Sequence, residues 1–303
     1  MKKARIIYNP TAGREQFKRN VSSVIERFEA AGYETSAHAT TGEGDATEAA
    51  RFATQQAFDL VVVAGGDGTI NEVIKGIAPE EKRPKLGIIP AGTTNDFARA
   101  LHIPRDPLKA LDIILNGQTM YLDVGYVNDE YFINIAGGGD LTELTYDVPI
   151  KLKTILGYFA YFVRGIEKLP SMKPVRTKIE YDGQEIDEEI MLFLITNTNS
   201  VGGFEKLAPD AKINDGFFDL IILRKTSLAE FIKLATLLLR GLHIDDERVI
   251  YAQAKRINVT PADRMLLNID GEYGGLLPGE FINLKQHIEF FVPKKFIHLQ
   301  KEY

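Results

Sequence analysis

The chain contains no cysteine, which removes disulfides, thiolate metal sites and a cysteine nucleophile together. That absence fits a reducing compartment such as the cytoplasm. No run of about 18 apolar residues occurs, so no membrane-spanning helix is expected. The apolar start Ala4-Arg-Ile-Ile-Tyr8 is cut by Pro10 and is too short for a signal peptide. There is no excess of positive charge: the formal net charge is −6, which argues against a general nucleic-acid binder. Internal repeats and low-complexity segments are also missing. Several nucleotide signatures are absent too. No Gly-x-x-x-x-Gly-Lys-[Ser/Thr] excludes a Walker-type ATPase, and no His-Arg-Asp or Asp-Phe-Gly excludes the protein-kinase arrangement. Gly65 to Asn71 departs from Gly-x-Gly-x-x-Gly at its last position.

What remains is ample core material, 45% apolar in 303 residues, enough for two domains. To about residue 124, strand and helix patterns alternate. Strands are expected at Ala4 to Tyr8, Tyr33 to Ala39, Leu60 to Ala64 and Leu86 to Ile89. Helices are expected at Glu15 to Ala31, Asp45 to Gln56, Asn71 to Ile77 and from Asp96. The uninterrupted β-branched run Leu-Val-Val-Val-Ala suits a parallel strand covered on both faces. Repeated units of this length predict a parallel α/β sheet, whose ligands sit at the carboxyl ends of the strands. Three loops fall there: Asn9 to Gly13, Gly65 to Thr69 and Pro90 to Asp96.

From 125 to 293 the pattern becomes β-rich, with strands at Tyr131 to Ile135, Val175 to Tyr181, Glu189 to Ile195, Phe217 to Leu223, Arg256 to Val259, Met265 to Ile269 and Phe281 to Leu284. Asp182-Gly183 is a hairpin signal. Two antiparallel sheets are expected, interrupted by helices at Lys151 to Leu169 and Ser227 to Arg240. Residues 294–303 are expected to complete the first domain.

Gly65-Gly-Asp-Gly-Thr69 lets the backbone approach a phosphate and ends at a helix start that favours negative charge. Asp67 inside that turn would repel a bare phosphate, which points to an intervening divalent cation and phosphoryl transfer. A solvated or helix-capping Asp67 is the alternative. Asn9-Pro-Thr-Ala-Gly13 shapes a second turn of exposed N–H groups. In the third loop, Thr93, Thr94 and Asn95 offer hydrogen bonds, and Asp96 either caps the next helix or joins Asp67 in organising metal.

These three motifs in order, with Gly92-Thr-Thr-Asn-Asp-Phe-Ala-Arg99 and, far downstream, Asp270-Gly-Glu-Tyr-Gly-Gly275, resemble the soluble bacterial diacylglycerol kinase family, related to sphingosine kinases and more remotely to NAD kinases and phosphofructokinases. The resemblance implies a Rossmann-like, NAD-kinase-like α/β domain followed by an antiparallel β-sandwich-like domain. It implies ATP contacts at Asn9, Pro10, Thr11, Ala12, Gly13, Thr40, Gly66, Asp67, Gly68, Thr69, Ile70, Asn71, Glu72 and Thr93. Glu272 falls on the family's general base. Asp215, with the carbonyls of Lys212 and Phe217, falls on its magnesium loop, which relatives link through waters to the acids at Asp67 and Asp96 across a cleft between the domains.

Arg14, at a helix start where a cation opposes the dipole, would grip a headgroup or membrane phosphate. Arg164 lies on the apolar stripe of Lys151 to Leu169, in a basic region suited to an anionic bilayer surface. The expected activity is phosphorylation of the free hydroxyl of diacylglycerol to phosphatidic acid. It would need ATP and Mg2+, and would be carried out by a cytoplasmic protein that docks transiently on the inner face of the membrane. Relatives suggest a homodimer. The alternatives are another hydroxyl lipid (phosphatidylglycerol or a sphingoid base), NAD, or a nucleotide-binding regulator without catalysis.

Overall fold

A computed structural model of the chain describes residues 1–139, 173–199 and 206–299. The chain divides into two compact units, Met1–Val124 with Gln286 onward, and Gly125–Lys285.

In the first unit β1 (Lys2–Tyr8), β2 (Tyr33–Ala39), β3 (Leu60–Gly65) and β4 (Lys85–Pro90) form a parallel sheet in the order β4-β3-β1-β2. Every residue of β3 is buried, as its unbroken apolar run requires. Ile7 and Val63 pair, as do Val63 and Ile88, so the four strands end level: Tyr8 lies beside Ala39 and Ala64, and Gly65 beside Pro90. Level ends are what bring their following loops to one rim.

The helices are α1 (Gln16–Ala30), α2 (Asp45–Gln55), α3 (Asp67–Ile77), α4 (Asp96–Ala100) and α5 (Pro107–Asn116). The buried face of α2 is built of alanine (Ala46, Ala49, Ala50 and Ala53) and lets α3 come close. Gly76 completes that approach, since a Cβ there would lie 2.3 Å from the Thr47 carbonyl oxygen. Helix α3 begins at Asp67, four residues ahead of the Asn71 expected from the sequence. The glycines read there as turn formers are instead the cap and first turn of the helix. Helix α5, absent from the expected elements, starts on an Asp106 cap that accepts the N–H groups of Leu108 and Lys109, with proline at the first position.

The second unit is antiparallel. It contains β6 (Glu130–Phe132), β7 (Ile135–Gly138), β8 (Val175–Tyr181), β9 (Gln184–Thr196), β10 (Phe218–Arg224), β11 (Val249–Ala254), β12 (Arg256–Pro261), β13 (Leu266–Ile269) and β14 (Glu272–Leu276). Strands β5 (Gln118–Val127) and β15 (Gly279–Val292) carry the chain between the units. The β8–β9 hairpin turns at Asp182-Gly183, both with positive φ, as the dipeptide predicts. Strand β9 changes partners along its length. Its first half pairs with β8, and Phe193–Thr196 pairs with β7 while the same end also pairs with β10. Ile179, Ile257 and Phe281 from the β8 side, and Phe193, Leu220 and Leu267 from the other, therefore bury into one core.

The strand expected over Tyr131 to Ile135 is broken in two. Asp270 accepts the N–H groups of Ile133, Asn134 and Ile135, each at 2.9 Å, and so takes donors that a continuous ladder would use. Helix α6 (Leu228–Arg240) has the full capping box, Ser227 against Glu230, and ends on Gly241 in the left-handed region. The short α7 (Lys294–Leu299) belongs to the first unit. Among the described residues no helix is long and apolar enough to cross a membrane.

Candidate active site

Three loops meet at the carboxyl rim of the parallel sheet. Gly13 has φ +57°, and a Cβ on it would stand 2.7 Å from the Ala91 carbonyl oxygen. A Cβ on Gly92 would stand 2.5 Å from the Gly66 Cα. The β1, β3 and β4 loops thus touch backbone to backbone, which only glycine permits.

Each loop is fixed locally. The Asn9 Oδ1 accepts the Thr11 N–H at 3.0 Å and its hydroxyl at 2.9 Å, and the Asn9 N–H donates to the Ala64 carbonyl at 3.0 Å. In the β4 loop the Asn95 side chain turns inward: Oδ1 accepts the Gly92 N–H at 2.9 Å, and Nδ2 donates to the Gly92 carbonyl at 2.8 Å. Asn95 is therefore a loop clamp, not the free hydrogen-bonding group expected from the sequence. Arg105 Nη2 donates to the carbonyls of Thr93 and Thr94, at 3.0 and 3.1 Å, and Arg99 Nη2 to that of Thr94 at 2.8 Å.

Helix α3 opens on Gly66 with no side-chain cap, leaving its first N–H groups available to an anion. Asp67 in that turn is half-buried. Its carboxylate accepts the Phe97 N–H at 3.3 Å, so it caps α4, a helix from another loop, rather than its own. Burial pushes its pKa up, opposed by the N–H groups of Phe97, Asp96 and Asn95 and its own. Asp96 follows, with its carboxylate 3.7 Å from Arg99.

Of the other residues expected here, Ile70 is buried in the core, which leaves only its backbone for a ligand. Asn71 is buried, and among the described residues its Oδ1 has no hydrogen-bond partner, an arrangement that favours a ligand or water donor. The Glu72 carboxylate is engaged elsewhere, accepting the Ala46 N–H at 3.1 Å. Thr40 continues from β2 and donates its N–H to the Tyr8 carbonyl at 2.9 Å. The side chain of Arg14, and Arg164 with the stretch from Lys151 to Leu169, lie outside the described residues.

The remaining expected residues stand on the second unit. Glu272 is the exposed first residue of β14, paired with Ile269 across the Asp270-Gly271 turn. Asp215 Oδ1 accepts the Phe217 N–H at 2.9 Å, closing a tight loop whose Gly216 has φ +85°. Asp219, which sequence reasoning missed, is buried on β10 and bonded to the Tyr251 hydroxyl and to Gln253 Nε2. Desolvation, aided by Asp215 and Asp210 nearby, pushes its pKa up to about 6. Among the described residues no three carboxylates or histidines stand as a metal cage. A cation at Asp215 would therefore draw on main-chain oxygens and water, as a hard cation does.

Comparison with known proteins identifies the family. Residues 3–127 match the diacylglycerol kinase catalytic domain, and residues 148–292 the YegS C-terminal NAD kinase beta sandwich-like domain. A diacylglycerol kinase of Bacillus subtilis (strain 168) is 62% identical over 97% of this chain and 98% of its own length. One from Staphylococcus carnosus (strain TM300) is 54% identical over 97% and 96%. A crystal structure from Bacillus anthracis str. Sterne superposes with a TM-score of 0.86 at 29% identity, covering 97% of this chain and 96% of that one. An α/β catalytic domain is thus joined to a β-sandwich-like domain, and the chain belongs to the diacylglycerol kinase family.

Proposed function

We propose that this protein is an ATP-dependent diacylglycerol kinase that transfers the γ-phosphoryl group to the free hydroxyl of diacylglycerol, giving phosphatidic acid. The observation that carries the reading is the backbone contact of Gly13, Gly66 and Gly92 with their neighbours at one rim, beside the uncapped start of α3. Such a rim holds phosphates with N–H groups and adds no positive side chain of its own.

On this reading the loops from Asn9 to Gly13, Gly66 to Thr69 and Pro90 to Thr93 orient the triphosphate, and Asp67 and Asp96 set the negative field around it. Glu272 takes the proton from the lipid hydroxyl; its exposure at the start of β14, just after the Asp270-Gly271 turn, suits a base that must meet a lipid. Asp215, with the Lys212 and Phe217 carbonyls, would hold Mg2+, which when bound offsets phosphate charge. Because the acceptor is a bilayer lipid and no described helix spans a membrane, the protein would work by transient docking at an anionic surface, with Arg14 and Arg164 as the contacts to test.

The deciding experiment offers diacylglycerol, phosphatidylglycerol, a sphingoid base and NAD side by side with labelled ATP and Mg2+. Labelled phosphatidic acid as the dominant product is expected. Transfer to NAD alone, or nucleotide binding with no transfer to any acceptor, overturns the reading. Light scattering on the same preparation tests the homodimer, and salt-dependent vesicle binding tests docking.

A further inference from the structure

Of the loops on the rim, the one after β2 carries no glycine that touches another loop, yet it is tied down as firmly by two acids. Thr40 and Thr41 leave the strand, and Asp45 at the start of α2 reaches back over them. Its Oδ2 accepts the Thr41 N–H at 2.7 Å and the Thr41 hydroxyl at 2.8 Å. Its Oδ1 stands 3.0 Å from His38 Nε2 on β2. One carboxylate therefore closes the loop from both ends, and Gly44, with φ +81°, allows the return. These bonds hold the Asp45 pKa below the ordinary carboxylate range.

The next residue continues the chain of bonds. Ala46 donates its N–H to Glu72 Oε2 at 3.1 Å, and the Thr47 hydroxyl donates to the Glu72 carbonyl at 3.0 Å. Glu72 belongs to α3, the helix whose first turn is Asp67-Gly-Thr. The Thr40 loop is thus bonded through α2 to the helix that faces the phosphates, at the close α2–α3 approach that Gly76 permits.

We propose that Asp45 and Glu72 form a brace that sets Thr40 at a fixed distance from the start of α3, and that Glu72 is a positioning residue rather than a nucleotide contact. This rests on the nucleotide-site reading above. A nucleotide held at both Thr40 and the α3 start needs the two ends already spaced. The brace supplies that spacing before binding, so its loss weakens nucleotide binding without touching the transfer step.

The test compares Glu72→Ala, Glu72→Gln, Asp45→Ala and the double Ala variant on the full chain. ATP is titrated at saturating diacylglycerol in mixed micelles, and nucleotide binding is measured separately without lipid. Loss of one such hydrogen bond should raise KM for ATP and the nucleotide Kd about fivefold, with kcat little changed. Glu72→Gln, which keeps an acceptor for the Ala46 N–H, should return most of the affinity. The double variant should lose less than the product of the two singles, because both belong to one network.

Glu72→Gln as impaired as Glu72→Ala would assign the charge to the ligand and overturn the brace, as would a fall in kcat at constant KM. If an Ala variant does not fold, Thr47→Val removes one strut and leaves both carboxylates. An unchanged nucleotide Kd in that variant overturns the proposal, and a weaker one supports it. Should the protein phosphorylate no diacylglycerol, the lipid-free binding arm still decides the brace, so the two failures are distinguishable.

Discussion

The two units hold their candidate site residues in opposite ways. In the first, backbone does the holding: glycines bring three loops into contact, and Asp67 is stabilised by main-chain N–H groups from two helix starts. In the second, side chains do it: Asp219 is buried against Tyr251 and Gln253, with Asp210 and Asp215 adding negative charge beside it. Both acids have raised pKa values with burial as the largest cause, but their surroundings differ in sign. The first unit gathers N–H donors and is suited to an anion; the second gathers carboxylates and is suited to a cation. On the kinase reading that division matches a reaction in which triphosphate and metal must be held by separate means.

The sharpest way to separate the two units is to remove chemistry from one and leave binding in the other. Glu272→Gln should lower kcat by about 10²–10⁴-fold, the usual worth of a general base, while nucleotide affinity stays within about twofold. Rates from labelled ATP and a lipid-free nucleotide titration read the two effects independently. An equal loss in both would mean that Glu272 shapes the nucleotide site, and the comparison would fail.

The next largest effect falls on the glycine rim. Gly92→Ala places a methyl 2.5 Å from the Gly66 Cα, where neither backbone can yield cheaply, and should destabilise by about 1–3 kcal/mol as well as weaken ATP binding. Gly183→Ala is the control in the second unit. It meets nothing within 4 Å, and its only penalty is φ +87°, worth about 1 kcal/mol with no change in ATP affinity. Urea unfolding beside nucleotide titration checks both.

The same contrast explains what could be read before the structure. The first unit's site left marks in the sequence because glycine, asparagine and proline are required where loops touch. Strand β3 is plain from Leu60 to Ala64, and α6 from its helical pattern over Ser227 to Arg240. The start of α3 is not, because Asp67 spends its carboxylate on α4 and nothing local signals that. Asp219 was invisible for a similar reason. Its partners lie 32 and 34 residues away on β11, a strand whose residues are mostly half-buried and so show no clean alternation. The break at Ile133 to Ile135 depends on Asp270, more than 130 residues distant. Local pattern shows what a segment prefers, and these features are imposed from elsewhere in the chain.

A smaller effect tests the cation side alone. At Mg2+ tenfold above its Kd, binding to the native state should add about 1.4 kcal/mol, seen as a rise in melting temperature without nucleotide. Asp215→Asn should abolish that rise, and Asp67→Asn should leave most of it. A Mg2+ shift that survives in Asp215→Asn would remove the metal from the second unit.

The smallest effect is in pH dependence, where two acids should move in opposite directions. Asp246 in the second unit accepts Arg248 Nε at 2.6 Å and also bonds Nη2, and these contacts hold its pKa down at about 2. Its native pKa lies below the unfolded value near 3.9, so its contribution is full above that value and is lost as pH falls toward 2. Asp246→Asn should therefore cost about 1 kcal/mol at pH 7, with the gap to wild type closing near pH 2. Asp67 is the reverse case, because burial raises its native pKa above the unfolded value. Its contribution is greatest at low pH and declines as pH rises through the native value, so the wild-type advantage over Asp67→Asn should shrink as pH rises above the ordinary carboxylate range. Denaturant midpoints followed from pH 2 to pH 7 would show the Asp246 gap opening as pH rises toward 4 and the Asp67 gap closing as pH rises further. Parallel slopes would mean that the N–H groups around Asp67 outweigh its burial, and that its carboxylate is held charged like that of Asp246.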